Sequence, residues 1–73
     1  MKKHINLPIL KNTYLKVISK NYVIIENYHD IINISKTEVV STDYIIKGEG
    51  LIVKKIDGFY IEIKGQIKTI DII

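Results

Sequence analysis

The chain contains no cysteine, tryptophan, alanine or arginine, and only one proline and four glycines among its 73 residues. Without cysteine there is no disulfide framework, no thiolate zinc site and no thiol nucleophile, a pattern that fits a reducing compartment. Without alanine the residue most favourable to helices is missing altogether. A chain this short makes one small domain that buries about 60–65% of its unfolded surface, so a deep cleft between lobes is not available and an enzyme would be unusual. Long apolar runs are absent too. The longest stretch free of Asp, Glu, Lys and Arg is the seven residues 4–10, far short of the roughly 20 needed to cross a bilayer. Met1-Lys2-Lys3-His4 carries the charge of a signal peptide, but the apolar stretch behind it is short and interrupted by Asn6 and Pro8, so no secretory core follows. The expectation is a soluble, cytoplasmic chain, or one held at a membrane only through a partner.

What is present in excess is β-branching. Ile (18), Val (5) and Thr (4) make 27 of the 73 residues, and side chains stiff at χ1 favour strands. Period-2 alternation is clearest in Phe59-Tyr60-Ile61-Glu62-Ile63-Lys64, which places Phe59, Ile61 and Ile63 on one face and Tyr60, Glu62 and Lys64 on the other. The segment 51–56 precedes it across Asp57-Gly58, a dipeptide that suits a two-residue type I′ hairpin turn. Similar reasoning predicts strands over 15–19, 22–26, 31–35, 38–42, 44–47, 51–56, 59–64 and 66–72, with Gly48-Glu49-Gly50 and Gly65 as breaks. About eight short antiparallel strands in consecutive hairpins predict an all-β sandwich, roll or partly closed barrel over residues 13–73, behind an N-terminal arm of residues 1–12.

Ile46-Lys47-Gly48 returns 17 residues later as Ile63-Lys64-Gly65. This reads as a repeated hairpin unit in which each glycine permits a sharp corner. Several strands are apolar on both faces, among them Val23-Ile24-Ile25, Tyr44-Ile45-Ile46 and Leu51-Ile52-Val53. Either the sheet curls until both faces are covered, or the second face is an association surface for which Ile24, Ile45 and Ile52 are the candidates.

No constellation reaches a catalytic hypothesis. Glu26, His29 and Asp30 could be drawn as metal ligands, but no Cys or second His cluster completes a coordination sphere, and a polar loop explains them. Ser41 with His29 and Asp30 lacks a nucleophile elbow. Gly48-Glu49-Gly50 opens a strand, not the helix that a phosphate loop requires. No cofactor is expected. The net charge of +3 rests wholly on lysines, and they alternate with acids in the manner of a solvated surface. Tyr14, Tyr22, Tyr28, Tyr44 and Tyr60 each fall in a different element, which reads as sheet packing and not as a stacking platform. The alternative is a small nucleic-acid-binding barrel that sets Lys54, Lys55, Lys64 and Lys68 against phosphates.

The order of segments resembles the YabP/YqfC family of sporulation proteins, and more closely its YqfC branch. Residues 15–27, with Ile25-Glu26-Asn27, look like that family's opening hairpin; Ile31-Ile32 and Thr37-Glu38-Val39 fall where its next strands lie. The best-matched segments are Ile46-Lys47-Gly48-Glu49-Gly50-Leu51-Ile52-Val53-Lys54 and Ile61-Glu62-Ile63-Lys64-Gly65-Gln66-Ile67, so the likeness covers residues 15–70. Asp30 stands where the family usually has Gly, and the hairpin between Thr42 and Gly48 is shorter than the family's. The resemblance implies a mother-cell protein of Firmicutes needed for spore maturation, acting with a membrane sporulation protein of the YqfD type, and it implies no active-site residues. The missing catalytic constellation and the strands apolar on both faces predict a non-enzymatic interaction module that binds itself or that partner.

Overall fold

A computed structural model describes residues 13–73; the expected arm, residues 1–12, lies outside them. The chain is all-β, with six strands: β1 (Tyr14–Ser19), β2 (Tyr22–Glu26), β3 (Ile31–Ile34), β4 (Glu38–Ser41), β5 (Tyr44–Ile56) and β6 (Tyr60–Ile72). They form one open antiparallel sheet in the order β1-β2-β6-β5-β4-β3. The count is six and not eight because the glycines expected to end strands lie inside them. Gly48-Glu49-Gly50 and Gly65 are absorbed as register shifts within a continuous β5–β6 ladder that runs from Tyr44↔Ile72 to Ile56↔Ile61. A bulge adds a residue to one strand and bends it without breaking the pairing, so a glycine that reads as a stop can be a bend.

The bend is severe. Thirteen residues of β5 would extend about 43 Å if straight. Yet Tyr28 donates its hydroxyl to the Asp57 carbonyl at one end of the β5–β6 ribbon, while the adjacent His29 lies 3.1 Å from Asp43 at the other. Two neighbouring residues can reach both ends only if the ribbon folds back on itself. At its middle the strands approach closely: a Cβ on Gly48 would lie 2.0 Å from the Gln66 carbonyl oxygen, and one on Gly65 (φ +140°) would lie 2.6 Å from that of Gly50. Only glycine permits contacts of this kind.

The two halves of the bent ribbon are built alike. β2 pairs with the first half of β6 (Val23↔Ile63), and β4 with the first half of β5 (Val39↔Ile46). At each bend the neighbouring turn supplies two carbonyls: Asn21 and Lys20 accept from Gly65 and Ile67 N–H, and Thr37 and Lys36 accept from Gly48 and Leu51 N–H. The 17-residue repeat in sequence is thus a repeat of structure. The core lies inside the bend, where Val23, Ile25, Val39, Ile46, Leu51, Ile61 and Ile63 form one buried cluster drawn from both halves. Ser41, also buried, accepts the Tyr44 N–H at 3.0 Å and donates to the Tyr44 carbonyl at 3.2 Å, closing the β4–β5 turn.

The Asp57-Gly58 hairpin forms, but not with a type I′ turn. Among the described residues positive φ occurs only at Asn27, Gly50 and Gly65. The turn instead centres on Gly58-Phe59, with Asp57 N–H donating to Tyr60 O at 3.0 Å. The Asp57 carboxylate accepts the N–H groups of Phe59 (2.7 Å) and Tyr60 (3.0 Å), an Asx geometry that needs no left-handed residue. Phe59, expected inward beside Ile61 and Ile63, is carried onto this turn and is exposed.

Gly48→Ala is expected to cost about 3 kcal/mol or more, because the Cβ meets backbone that cannot yield. Gly58→Ala, with open space around it and no positive φ, should be neutral or stabilising by up to about 1 kcal/mol. Urea denaturation of the two variants checks the pair; equal effects would contradict the bend assignment.

Candidate functional site

Three surfaces hold the residues that could act on something else. The first is the outer face of the β1-β2-β6 half. Direct cross-strand partners share a face, so the pairings set out three rows: Tyr14, Glu26 and Tyr60; Lys16, Ile24, Glu62 and Lys55; Tyr22, Lys64 and Ile52. Three tyrosines counted separately along the chain therefore stand on neighbouring strands of one face with lysines among them, against the expectation that they are dispersed. Strand alternation could show their parity, but not that β2 lies beside β6, which joins segments some forty residues apart.

These side chains are engaged with one another. Lys64 Nζ lies 4.8 Å from the centre of the Tyr22 ring and Lys55 Nζ 5.3 Å from that of Tyr60. Tyr22 donates to Glu62 at 2.9 Å, and this contact raises the Tyr22 phenol above its ordinary range. Contact with the Tyr60 hydroxyl likewise raises Lys55. Lys16 and Glu26 pair at 3.2 Å, with both side chains solvated, a contact worth at most about 1 kcal/mol. Of the lysines considered for phosphate contact, Lys55 and Lys64 are brought together, Lys54 is the extra residue at the shift between Val53 and Lys55, and Lys68 is paired with Glu49 at 3.0 Å in the other half. Residues 13–73 hold eight Lys against eight Asp and Glu, so the net +3 of the chain comes from Lys2, Lys3 and Lys11.

The second surface is the pair of sheet edges. β1 and β3 are the outermost strands. β3 is Ile-Ile-Asn-Ile, without a charge, and Ile32 and Ile34 are 65% and 49% exposed. Each edge strand carries one register irregularity, at Ile18 in β1 and at Ile32 in β3. The outward isoleucines proposed for association do not form one patch. Ile52 is 59% exposed on the face just described, Ile24 is half-buried between Lys16 and Glu62, and Ile45 is half-buried between Val40 and Asp71 in the other half.

The third is the junction where the ribbon's ends meet. Thr13 donates to the Asn27 carbonyl at 2.9 Å and lies 3.2 Å from His29 Nδ1, which in turn lies 3.1 Å from Asp43 Oδ2. The Thr13 hydroxyl and then the His29 ring hold the Asp43 carboxyl below the ordinary carboxylate range. Glu26, His29 and Asp30 therefore go to different tasks: Glu26 to Lys16, His29 to Asp43, and Asp30 to the N–H of Ile31 at 3.0 Å. Among the described residues no helix is long and apolar enough to cross a membrane, and no group of His, Cys, Asp and Glu could hold a metal ion. Comparison with protein-family models, curated proteins and solved structures gives no match.

The acid limb of stability follows from two depressed carboxyls. Asp43 and Asp57 are both lowered in the fold, Asp57 chiefly by the Phe59 N–H and then the Tyr60 N–H. Lowered carboxyls contribute stability above the unfolded-chain value, and lose it as pH falls through the folded one. Urea midpoints should therefore fall as pH drops below about 4. Asp43→Asn and Asp57→Asn should each flatten that decline; unchanged slopes would show that other groups control it.

Proposed function

We propose that the chain is a non-enzymatic β interaction module of the sporulation programme, acting in spore maturation with a membrane sporulation protein of the YqfD type. The observation that carries the interaction role is the edge strand β3, uncharged along its length with Ile32 and Ile34 exposed. Edges are protected by short length, a bulge, lysine, proline or inward-pointing charges; β3 is short and has a bulge at Ile32 but carries no lysine, proline or charge. An edge without such residues accepts another strand, giving main-chain hydrogen bonds for affinity and alternate side-chain pockets for specificity. The sporulation role and the mother-cell location, cytoplasmic or peripheral to a membrane through the partner, rest on the segment order shared with the YabP/YqfC family. The same proposal includes a sandwich, roll or partly closed barrel as the finer architecture, and as further contact residues Ile24 and Ile52 on the outer face and Ile45 in the other half.

The experiment is light scattering across a concentration range, combined with pull-down against a membrane sporulation protein of the YqfD type. Association with itself or with that protein is expected. Ile32→Lys should weaken it at least about tenfold, a loss of roughly 1.4 kcal/mol, with the fold retained. Ile52→Lys reads the outer face separately. A monomer at high concentration that captures no sporulation protein would sink the proposal.

A second reading, nucleic-acid binding, draws support from Tyr14, Tyr22 and Tyr60 on one face with Lys55 and Lys64. Glu26 and Glu62 on that same face oppose phosphate, as does the zero net charge of residues 13–73. Affinity for single-stranded DNA or RNA that falls with salt at a log-log slope of about 0.7 per contact would establish it. Its absence at low salt would remove it.

A further inference from the structure

The bend that shapes the core also leaves a concavity. At the β1–β2 turn and the bend of β6, a solvent-open depression of about 580 Å³ is lined by Lys20, Asn21, Lys64, Gly65, Gln66 and Ile67. Its floor is held by backbone: Gly65 N–H donates to Asn21 O at 3.1 Å and Ile67 N–H to Lys20 O at 3.2 Å. Gly65 cannot carry a Cβ there without striking Gly50 and Leu51, so the backbone at the floor is fixed by the strand crossing, with the side chains of Lys20, Asn21, Lys64 and Gln66 forming the walls.

We propose that this depression receives an acidic, partly apolar segment of the protein partner, an inference that rests on the interaction-module reading above. Three properties of the lining select that chemistry. Lys20 and Lys64 supply two cations, and no described residue lining the depression is acidic. The side-chain amides of Asn21 and Gln66 bond no other described residue, and each offers both a donor and an acceptor, the pair that a peptide group presents in return. Ile67 is half-buried in the floor and meets an apolar side chain. A bare anion would use the lysines and leave the amide acceptors without a partner.

The other bend acts as an internal control. It has the same backbone plan, with Lys36 and Thr37 facing Gly48 and Leu51, and with Lys47 at the place of Lys64. There, however, Glu49 stands at the place of Gln66 and is paired with Lys68 at 3.0 Å. Glu49 is the direct partner of Gln66 across the β5–β6 ladder, and its ion pair with Lys68 offsets its charge beside the depression. The six residues lining the depression thus offer two lysines and no acid, and the carboxylates beside them are engaged, Glu49 by Lys68 and Glu62 by the Tyr22 hydroxyl. Lys64 keeps its contact with the Tyr22 ring, which fixes where the ammonium stands at the mouth of the depression.

The test is a titration of the isotopically labelled full chain, followed by amide NMR, with a short blocked peptide that alternates Glu with Leu. Parallel titrations use the same peptide with Gln for Glu, and inorganic phosphate. Shifts confined to residues 20–21 and 64–67 are expected with the acidic peptide and not with the Gln peptide. Lys20→Gln combined with Lys64→Gln should weaken binding at least about tenfold, with the rest of the spectrum unchanged. Lys36→Gln combined with Lys47→Gln should leave binding as it was. Shifts spread over the surface, no shifts at all, or equal loss from both pairs of variants would overturn the inference, and an equal response to phosphate would replace the peptide with a small anion. Capture of the membrane protein through β3 with no peptide response at the bend would defeat this inference alone. Loss of both would defeat the module reading as well.

Discussion

The close approach of two backbones at Gly48 and Gly65 governs this molecule. Each glycine lies where a side chain would strike the opposite strand, at 2.0 Å and 2.6 Å from a carbonyl oxygen. Because the crossing is so tight, the β5–β6 ribbon can fold back without losing its ladder, and a single open sheet can enclose a core. A flat sheet of six strands would leave one face of Ile25, Ile46, Ile61 and Ile63 in water. In the bent one they are buried together. With no helix to cover the sheet, curvature is the only means by which the described residues bury so much isoleucine.

The same crossing distributes what is left on the surface. By bringing the turns at Lys20-Asn21 and Lys36-Thr37 against the bends, it creates two related corners. By bringing the ribbon's ends together, it creates the junction of Thr13, His29 and Asp43. The sheet stays open at β1 and β3, so apolar residues that curvature does not bury stand at edges, the turn tip and the C-terminal end (Ile18, Ile32 and Ile34, Phe59, and Ile72), with Ile52 on the outer face. The charges follow a different rule. On the outer face Lys16, Lys55 and Lys64 interleave with Glu26 and Glu62 and with tyrosine rings, each held by a neighbour. Such a face is close to neutral, and it adjoins the depression at the β6 bend through Lys64, which belongs to both.

Much of the local structure could be read along the chain, because strand parity repeats every two residues and turn chemistry is short-range. The inward sets Val23 and Ile25, and Ile61 and Ile63, followed from alternation, as did the hairpin after Ile56. The Ile-Lys-Gly repeat pointed correctly to two corners. The expected strand ends at Gly48-Glu49-Gly50 and Gly65 did not hold, because a glycine that stops a strand and one that bends it have the same local signature. The Asp57-Gly58 turn differed for a related reason. The Asp57 carboxylate satisfies two N–H groups, so the positive φ that an Asp-Gly pair permits was not used.

The sequence by itself determined the all-β class, the two-sided apolar strands and the repeated glycine corners, each of which depends on neighbours within a few residues, but not that β2 pairs with β6 in place of β3. Only the tertiary structure decided that the glycines join strands into one bent ribbon, and that Tyr14, Tyr22 and Tyr60 share a face. It also decided that Ile45 lies in the other half from Ile24 and Ile52, and that Lys20 stands with Lys64 over a depression whose lining has no acid. Those relations join residues some twenty to forty positions apart, and the contact that sets them, one backbone passing against another at Gly48 and Gly65, leaves no trace in local periodicity.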